Sequence, residues 1–402
     1  MLLLRLVWHS ELTKARESCQ AKSYCSRWHV LGSKARRWQL CQPSLGSQFL
    51  STQRHLIWLR LAARVLGTAA LSLCLTGGAR AQAADWVRAG LNTNQPIWGL
   101  RGGLLWALPP GGFRPPTGPR GLIRVGYPIM TNGGYELVNF IAIEPIVRGQ
   151  RAFSELESSA LDHTSGKRIW AVGETNLISA ASEPVLTAGR LSQPSPGVEQ
   201  LDVIVRVEPF DNGARVHLVV SQRSDAPDEI QLAVHTYHGS APLDYCILTA
   251  TMGNLARTRL LWLKHQVVSS RDLYPKLKGE GFAPHRIYPL NRLARTTTGD
   301  VLVAVTTDED DPASVYPFPG QQFWHYGGSK ATQYWKKLRG AAHDDLHVAV
   351  NARYTYWQTR QPLPGGVAFE NFELRERFYE GQGFTFGITL KTPAQLGLGG
   401  PL

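Results

Sequence analysis

The sequence predicts an all-β fold, a large antiparallel two-sheet sandwich with few helices. Three observations carry this. The chain holds about fourteen short β-rich runs separated by turn signals. One segment, Leu201–Gln222, alternates apolar and polar residues on both sides of Asp211-Asn212-Gly213, a strong hairpin signal. No long amphipathic helix and no alternation of strands with helices is present, which argues against a doubly wound parallel sheet.

In chain order, the first element is a leader. Arg54, Arg60 and Arg64 precede the apolar run Val65–Leu75, and Ala79-Arg80-Ala81 or Ala81-Gln82-Ala83 ends it with small residues. That layout is a secretory signal peptide, and the run is too short to span a bilayer. Residues 1–83 are therefore expected to be removed. Residues 1–52 have no role in that scheme: they are an upstream mis-start or a long n-region. The mature chain, 84–402, is expected to be one large sandwich without a membrane span, periplasmic or extracellular. Two smaller sandwiches divided near Ser192–Pro196 are the alternative.

Removing the leader changes the charge argument. The whole chain carries +12, but the leader holds 12 Lys/Arg against 2 Asp/Glu, so the remainder is nearly neutral. The basicity that would suggest a nucleic-acid partner leaves with the leader. Cysteine divides the same way. Cys19, Cys25, Cys41 and Cys74 precede the cut and Cys246 alone follows it, so the fold must rest on its core without an internal disulfide.

Within the mature chain, Pro96–Leu100 and Gly103–Leu108 are short strands. The proline- and glycine-rich Pro109–Pro119 is irregular, Gly121–Tyr127 resumes as strand, Asn132-Gly133-Gly134 turns, and Tyr135–Val147 is a long strand. After the hairpin, Glu229–Tyr237, Tyr245–Thr251, Arg257–Lys264 and Val301–Thr307 continue the pattern. Tyr334–Leu338 suggests a single helical turn. Leu346–Trp357, Gly366–Phe378 and Phe384–Leu390 complete the sheets.

No G-x-S-x-G elbow, H-E-x-x-H or P-loop is present. No cofactor and no metal is expected. His235/His238 lie three apart on a strand and so face opposite ways, while His343/His347 would need a helix where the pattern is strand. Asp308–Asp311 could hold Ca²⁺ through its oxygens but lacks the glycine-spaced loop of a recognised site, so a solvated acidic turn is expected there.

The chemistry-bearing residues are carboxylates among aromatics. Glu144 lies in Phe140–Val147, where both strand faces are apolar, so it is a buried or cleft carboxylate that needs a partner or a proton. It is an acid/base residue or half of a structural ion pair with Arg168. Glu155 and Glu157 flank Leu156 on what looks like a solvated strand edge. In Phe369–Phe378, Glu373, Arg375 and Arg377 share one face, expected to be an exposed ladder of ion pairs. Glu370 and Glu376 share the other face with Phe372 and Leu374 and are further acid/base candidates. Arg168 and Arg353 are candidate clamps, and Trp170, Tyr356 and Trp357 candidate sugar-contacting surfaces; Phe323–Tyr326 is a similar aromatic cluster.

On Asn139–Trp170, Asp244–Asn254 and Phe369–Phe378 the chain resembles a family of secreted bacterial proteins of unassigned activity. In architecture, over about Leu91–Leu390, it resembles the mutarotase-like supersandwich group, which includes sugar epimerases and terminal domains of polysaccharide lyases. The epimerases pair a histidine with a carboxylate, a pair that no motif here fixes. Two functions follow as expectations: an exported protein binding or processing carbohydrate in a cleft, or a non-catalytic extracellular or envelope interaction module.

Overall fold

The computed structural model describes residues 83–109, 111–113, 119–129, 133–172, 186–251, 253, 256–309, 330–357 and 359–399. They belong to one unit, Ala79–Leu402. Residues 1–82, where the expected leader lies, Phe323–Tyr326, Asp310, Asp311 and parts of the Pro109–Pro119 and Asn132–Gly134 stretches lie outside the described residues.

Two antiparallel sheets form the sandwich. Among the described residues the first has ten strands, in the order β1 (Trp86–Arg88), β2 (Ile97–Leu100), β3 (Leu105–Ala107), β4 (Leu122–Tyr127), β5 (Glu136–Val147), β12 (Tyr245–Thr251), β20 (Ala368–Arg375), β19 (His347–Arg353) and β15 (Arg286–Pro289). The short β6 (Gln150–Arg151) extends the β5 edge where β4 stops. The second has eleven: β14 (Val267–Ser269), β13 (Thr258–Trp262), β17 (Val301–Thr307), β18 (Thr332–Lys337), β21 (Gln382–Thr389), β11 (Glu229–Thr236), β10 (Val216–Arg223), β9 (Val198–Val207) and β7 (Ile169–Val172). There β16 (Ala294–Arg295) pairs with β17 and β8 (Arg190–Ser195) with β9. One four-residue helix, α1 (Ser270–Leu273), is capped by Ser269.

The predicted hairpin is β9–β10. Val205 pairs with Leu218 and Val203 with Val220, while β10 alternates buried and half-buried residues, so one face meets the core and the other faces outward. The sheets are joined through side chains as well as apolar packing. Asn139 Nδ2 on β5 donates to Gln333 Oε1 on β18 at 2.5 Å, and Trp335 Nε1 on β18 donates to the Phe372 carbonyl on β20 at 2.8 Å. Each bond satisfies a polar group that the core would otherwise strand.

Two expectations change. Tyr334–Leu338 is not a helical turn: Thr332–Lys337 is strand β18 between β17 and β21. The misleading Lys336-Lys337 pair resembles a solvated end, but Lys337 is fully buried against Glu376. Ser192–Pro196 is not a linker either, since Arg190–Ser195 is β8, which turns at Gly197 (φ 77°) into β9.

The middle strands of the first sheet are buried on both faces. Two segments cover the outward face. Residues 151–167 lie over β5, with Ser154 Oγ accepting from the Ile143 amide and donating to the Gly121 carbonyl. The region after α1 lies over β19, where Tyr274 Oη bonds the Pro284 and Val350 carbonyls. Polar residues on that face are therefore enclosed, and they define the site.

Candidate functional site: a polar band on the outward face of the first sheet

The band starts at the β5–β6 turn. Arg148 (φ 49°) and Gly149 (φ 74°) both take positive φ, the pattern of a type I′ turn, and set Arg151 opposite Ile146. Glu144, two residues before Ile146, faces the same way. Arg151 therefore meets it diagonally, with Nε 2.8 Å from Glu144 Oε2 and its terminal nitrogen closer still. Arg151 also lies over the Phe153 ring at 5.1 Å. The partner of Glu144 is this arginine, not Arg168.

Across the sheet, Thr249 on β12 pairs with Glu373 on β20, and Glu373 pairs with Ala349 on β19. Thr249 Oγ1 lies 3.1 Å from Glu144 Oε1 and also hydrogen-bonds Glu373 Oε2. Glu373 is gripped by Arg375, lies 4.0 Å from Arg151, and has His285 Nε2 3.2 Å away. The expected exposed ladder is thus a buried network: Glu144 and Glu373 are 2% and 0% exposed, enclosed with Arg151, Thr249, His285 and Arg375 around them. The groups that reach the surface are Arg151, His285 and Arg375, with side chains 27%, 25% and 13% exposed.

The two carboxyls behave oppositely. Burial, reinforced by the charge of Glu373, pushes Glu144 well above the usual carboxylate range despite Arg151 and Thr249. Burial also opposes ionisation of Glu373, but His285, Arg375 and Arg151 together hold it below that range. A third carboxyl, Glu155, is pushed up by burial and by Glu144, and its Oε2 is enclosed without a hydrogen-bond partner among the described residues. Glu155 is therefore not a solvated edge: it sits in the covering turn, while Glu157 binds Lys167 at 3.2 Å.

One hydroxyl carries one proton. When Glu144 is protonated its O–H donates to Thr249, and Thr249 donates to the Glu373 carboxylate. Glu144–Thr249–Glu373 is thus a continuous hydrogen-bond chain, with His285 Nε2 3.2 Å from its Glu373 end.

The band continues along β19. Thr251 Oγ1 donates to Asn371 Oδ1 at 2.7 Å, and the Asn371 amide donates to Asn351 Oδ1 at 3.0 Å. Here Val350 faces Phe372 while Ala352 faces Phe369, so Glu370 and Asn371 oppose the single residue Asn351. This β-bulge interrupts the alternation that would place Glu370 on the Phe372 face. By alternation Arg353 shares the face of Ala349, about 13 Å further along the strand. Its guanidinium lies 4.7 Å from the Phe282 ring and 5.2 Å from the Trp357 ring, and those rings are 5.7 Å apart. Burial lowers the Arg353 value while Glu370 and Glu280 raise it, which puts the buried Glu370 in the field of Arg353. Tyr356, next to Trp357, is pushed up by burial and opposed by the charge of Arg257.

Glu144, Arg353, Trp357 and Glu370 are thus carried by the first sheet and the loop that leaves β19. The other sequence candidates lie elsewhere. Glu376 forms a buried pair with Lys337 of β18, and accepts from Gln382 Nε2 at 3.2 Å, so it joins the two sheets. Arg168 and Trp170 lie at β7 on the second sheet, where Trp170 Nε1 is enclosed without a partner among the described residues. Sequence reasoning missed Thr249 and His285, and placed Arg151 in the polar stretch Asn139–Trp170 without giving it a role. The signal for Arg151 was Arg148-Gly149 as a two-residue turn; His285 precedes an edge strand that no periodicity marks.

Among the described residues no group of His, Cys, Asp and Glu could hold a metal ion, and no helix is long and apolar enough to cross a membrane. Cys246 is buried, and burial raises its thiol far above the ordinary range, which disfavours the reactive thiolate. Comparison with protein-family models, curated proteins and solved structures gave no match to this chain.

Proposed function

We propose that the polar band binds carbohydrate and that His285, backed by the Glu373–Thr249–Glu144 relay, exchanges a proton with a sugar hydroxyl or hemiacetal. The observation that carries this reading is the hydrogen-bond chain: two carboxyls joined by one hydroxyl, their environments pushing one toward the acid form and the other toward the anion, beside a histidine whose side chain is partly exposed. The Phe282 and Trp357 rings, packed around the buried Arg353, supply apolar surface of the kind on which sugar rings stack. The leader composition supports export to the periplasm or the medium, which amino-terminal sequencing of the secreted protein tests.

The test pairs a glycan array with an NMR anomerisation assay. Binding lost on W357A together with turnover lost on H285N supports the reading, whereas no glycan bound and no change in sugar anomers overturns it. A second reading is favoured by one observation, that Glu144 and Glu373 are enclosed and already occupied by arginines. On that reading the protein is a non-catalytic extracellular or envelope interaction module, and H285N alters nothing but stability.

A further inference from the structure

A different cluster lies on the outward face of the second sheet. Arg206 on β9, His217 on β10 and His235 on β11 stand directly opposite one another in register. Val205, Leu218 and Val234, their alternating neighbours, fill the core, so the three polar residues face away from it. The imidazoles of His217 and His235 stack at 5.2 Å with 17° between planes. Arg206 lies 4.4 Å over the Tyr237 ring.

The hydrogen-bond inventory of this row is one-sided. His235 Nδ1 is fixed by Glu380 Oε1 at 2.9 Å, and Glu380 is held in turn by the amide and hydroxyl of Thr236. That leaves His235 Nε2 as the outward nitrogen. His217 Nδ1 is enclosed without a partner among the described residues, which leaves Nε2 as the nitrogen able to meet a ligand, and no carboxylate pairs with Arg206 among the described residues. Arg206 can only donate, and a protonated imidazole can only donate. Three donor-bearing residues on adjacent strands, one strand spacing (~4.8 Å) apart at the backbone, therefore lie beside a single carboxylate that serves the last of them.

We propose that Arg206, His217 and His235 form a binding strip for an oxyanion group, a phosphate or a sulfate, carried free or as an ester on a larger ligand. The geometry suits tetrahedral oxyanions: the guanidinium offers a two-pronged contact from one side and the stacked imidazoles offer N–H groups from the other. Binding is proton-linked. The groups facing His217 are Arg206 on β9, His235 on β11 and Glu380 beyond it; burial, His235 and Arg206 lower the His217 value and Glu380 alone raises it. An oxyanion adds negative charge at that point, so it favours the protonated ring and binds more tightly as pH falls. This strip is independent of the carbohydrate reading of the first sheet.

The test is 1H–15N NMR of the histidine rings in the full chain, titrated at pH 5.5 and pH 8 with inorganic phosphate, inorganic sulfate, and a sulfated oligosaccharide beside its unsulfated parent. The strip predicts that His217 and His235 shift with at least one oxyanion, that affinity is about tenfold higher at the lower pH, and that R206Q weakens it about tenfold while R206K recovers part of the loss. Tighter binding of the sulfated oligosaccharide than of free sulfate identifies an ester-bearing ligand, and equal binding identifies the free ion. If neither ring shifts with any of the three oxyanions beyond the unsulfated parent, or a folded R206Q binds like the unmodified chain, the strip is not a site.

Discussion

Glu144 and Glu373, on strands that never touch, share the hydroxyl of Thr249, which sits on the strand between them. The arrangement makes the protonation of one carboxyl visible to the other. Thr249→Val keeps the shape and removes the link. Carboxyl 13C titration is expected to show the value of Glu373 rising and the two carboxyls titrating independently, with a stability loss of about 1 kcal/mol. Unchanged titration of both groups would show that Thr249 does not connect them.

Glu373→Gln and Glu144→Gln should act in opposite senses. Glu373 is held low, so its stabilisation is present above the ordinary carboxylate range and fades as pH falls below it. Glu373→Gln leaves Arg375 and His285 beside a neutral amide and is expected to lose about 3 kcal/mol at pH 7, with the difference shrinking in acid. Glu144 is held high, so the folded state keeps a proton that the unfolded chain has released, and stability falls as pH rises from about 4 to the raised value. Glu144→Gln should therefore gain on the unmodified chain across that window. Urea unfolding at stepped pH reads both slopes, and parallel slopes for the two variants would refute the assignment.

Lys337 and Glu376 form a fully buried pair between β18 and the end of β20, with Tyr379 Oη and the Gly383 carbonyl completing the shell of Lys337. Lys337→Met alone strands a buried carboxylate and is expected to lose about 3 kcal/mol. Lys337→Met with Glu376→Leu should recover most of that loss. Equal stability of the single and double variants, measured by denaturant unfolding, would show that the pair carries no coupling.

Gly121 (φ 73°) lies against the covering segment so closely that an added Cβ would sit 1.8 Å from the Ser154 carbonyl oxygen. Gly121→Ala cannot be absorbed by a side-chain movement and must push that segment off β5. Hydrogen exchange is expected to quicken across 151–158 and at the Ile143 amide, with Glu144 returning toward the ordinary carboxylate range. Unaltered exchange there would mean that the segment is not held in place by this contact.

Most of the fold was legible in the chain because one-sided strands announce themselves: β9, β10 and β11 alternate, and Asn212-Gly213 fixes their turn. The double-sided strands were harder. β18 hides two lysines in a strand, one of them buried by a glutamate 39 residues away, and no local pattern reports that distance. The site divided in the same way. Glu144 stood out because a carboxylate in an apolar run needs a reason. Arg151 and His285 did not, since their meaning arises only when a turn and an edge strand place them against β5 and β20.

Strands β20 and β21, consecutive in the chain, have an unusual station. β20 lies between β12 and β19 in one sheet, and β21 lies between β11 and β18 in the other, so one short stretch supplies an inner rung to both layers. Neither layer can zip shut before Ala368–Thr389 has been made, and a variant truncated before Ala368 would leave two open seams whose unpaired amides and carbonyls invite neighbouring molecules.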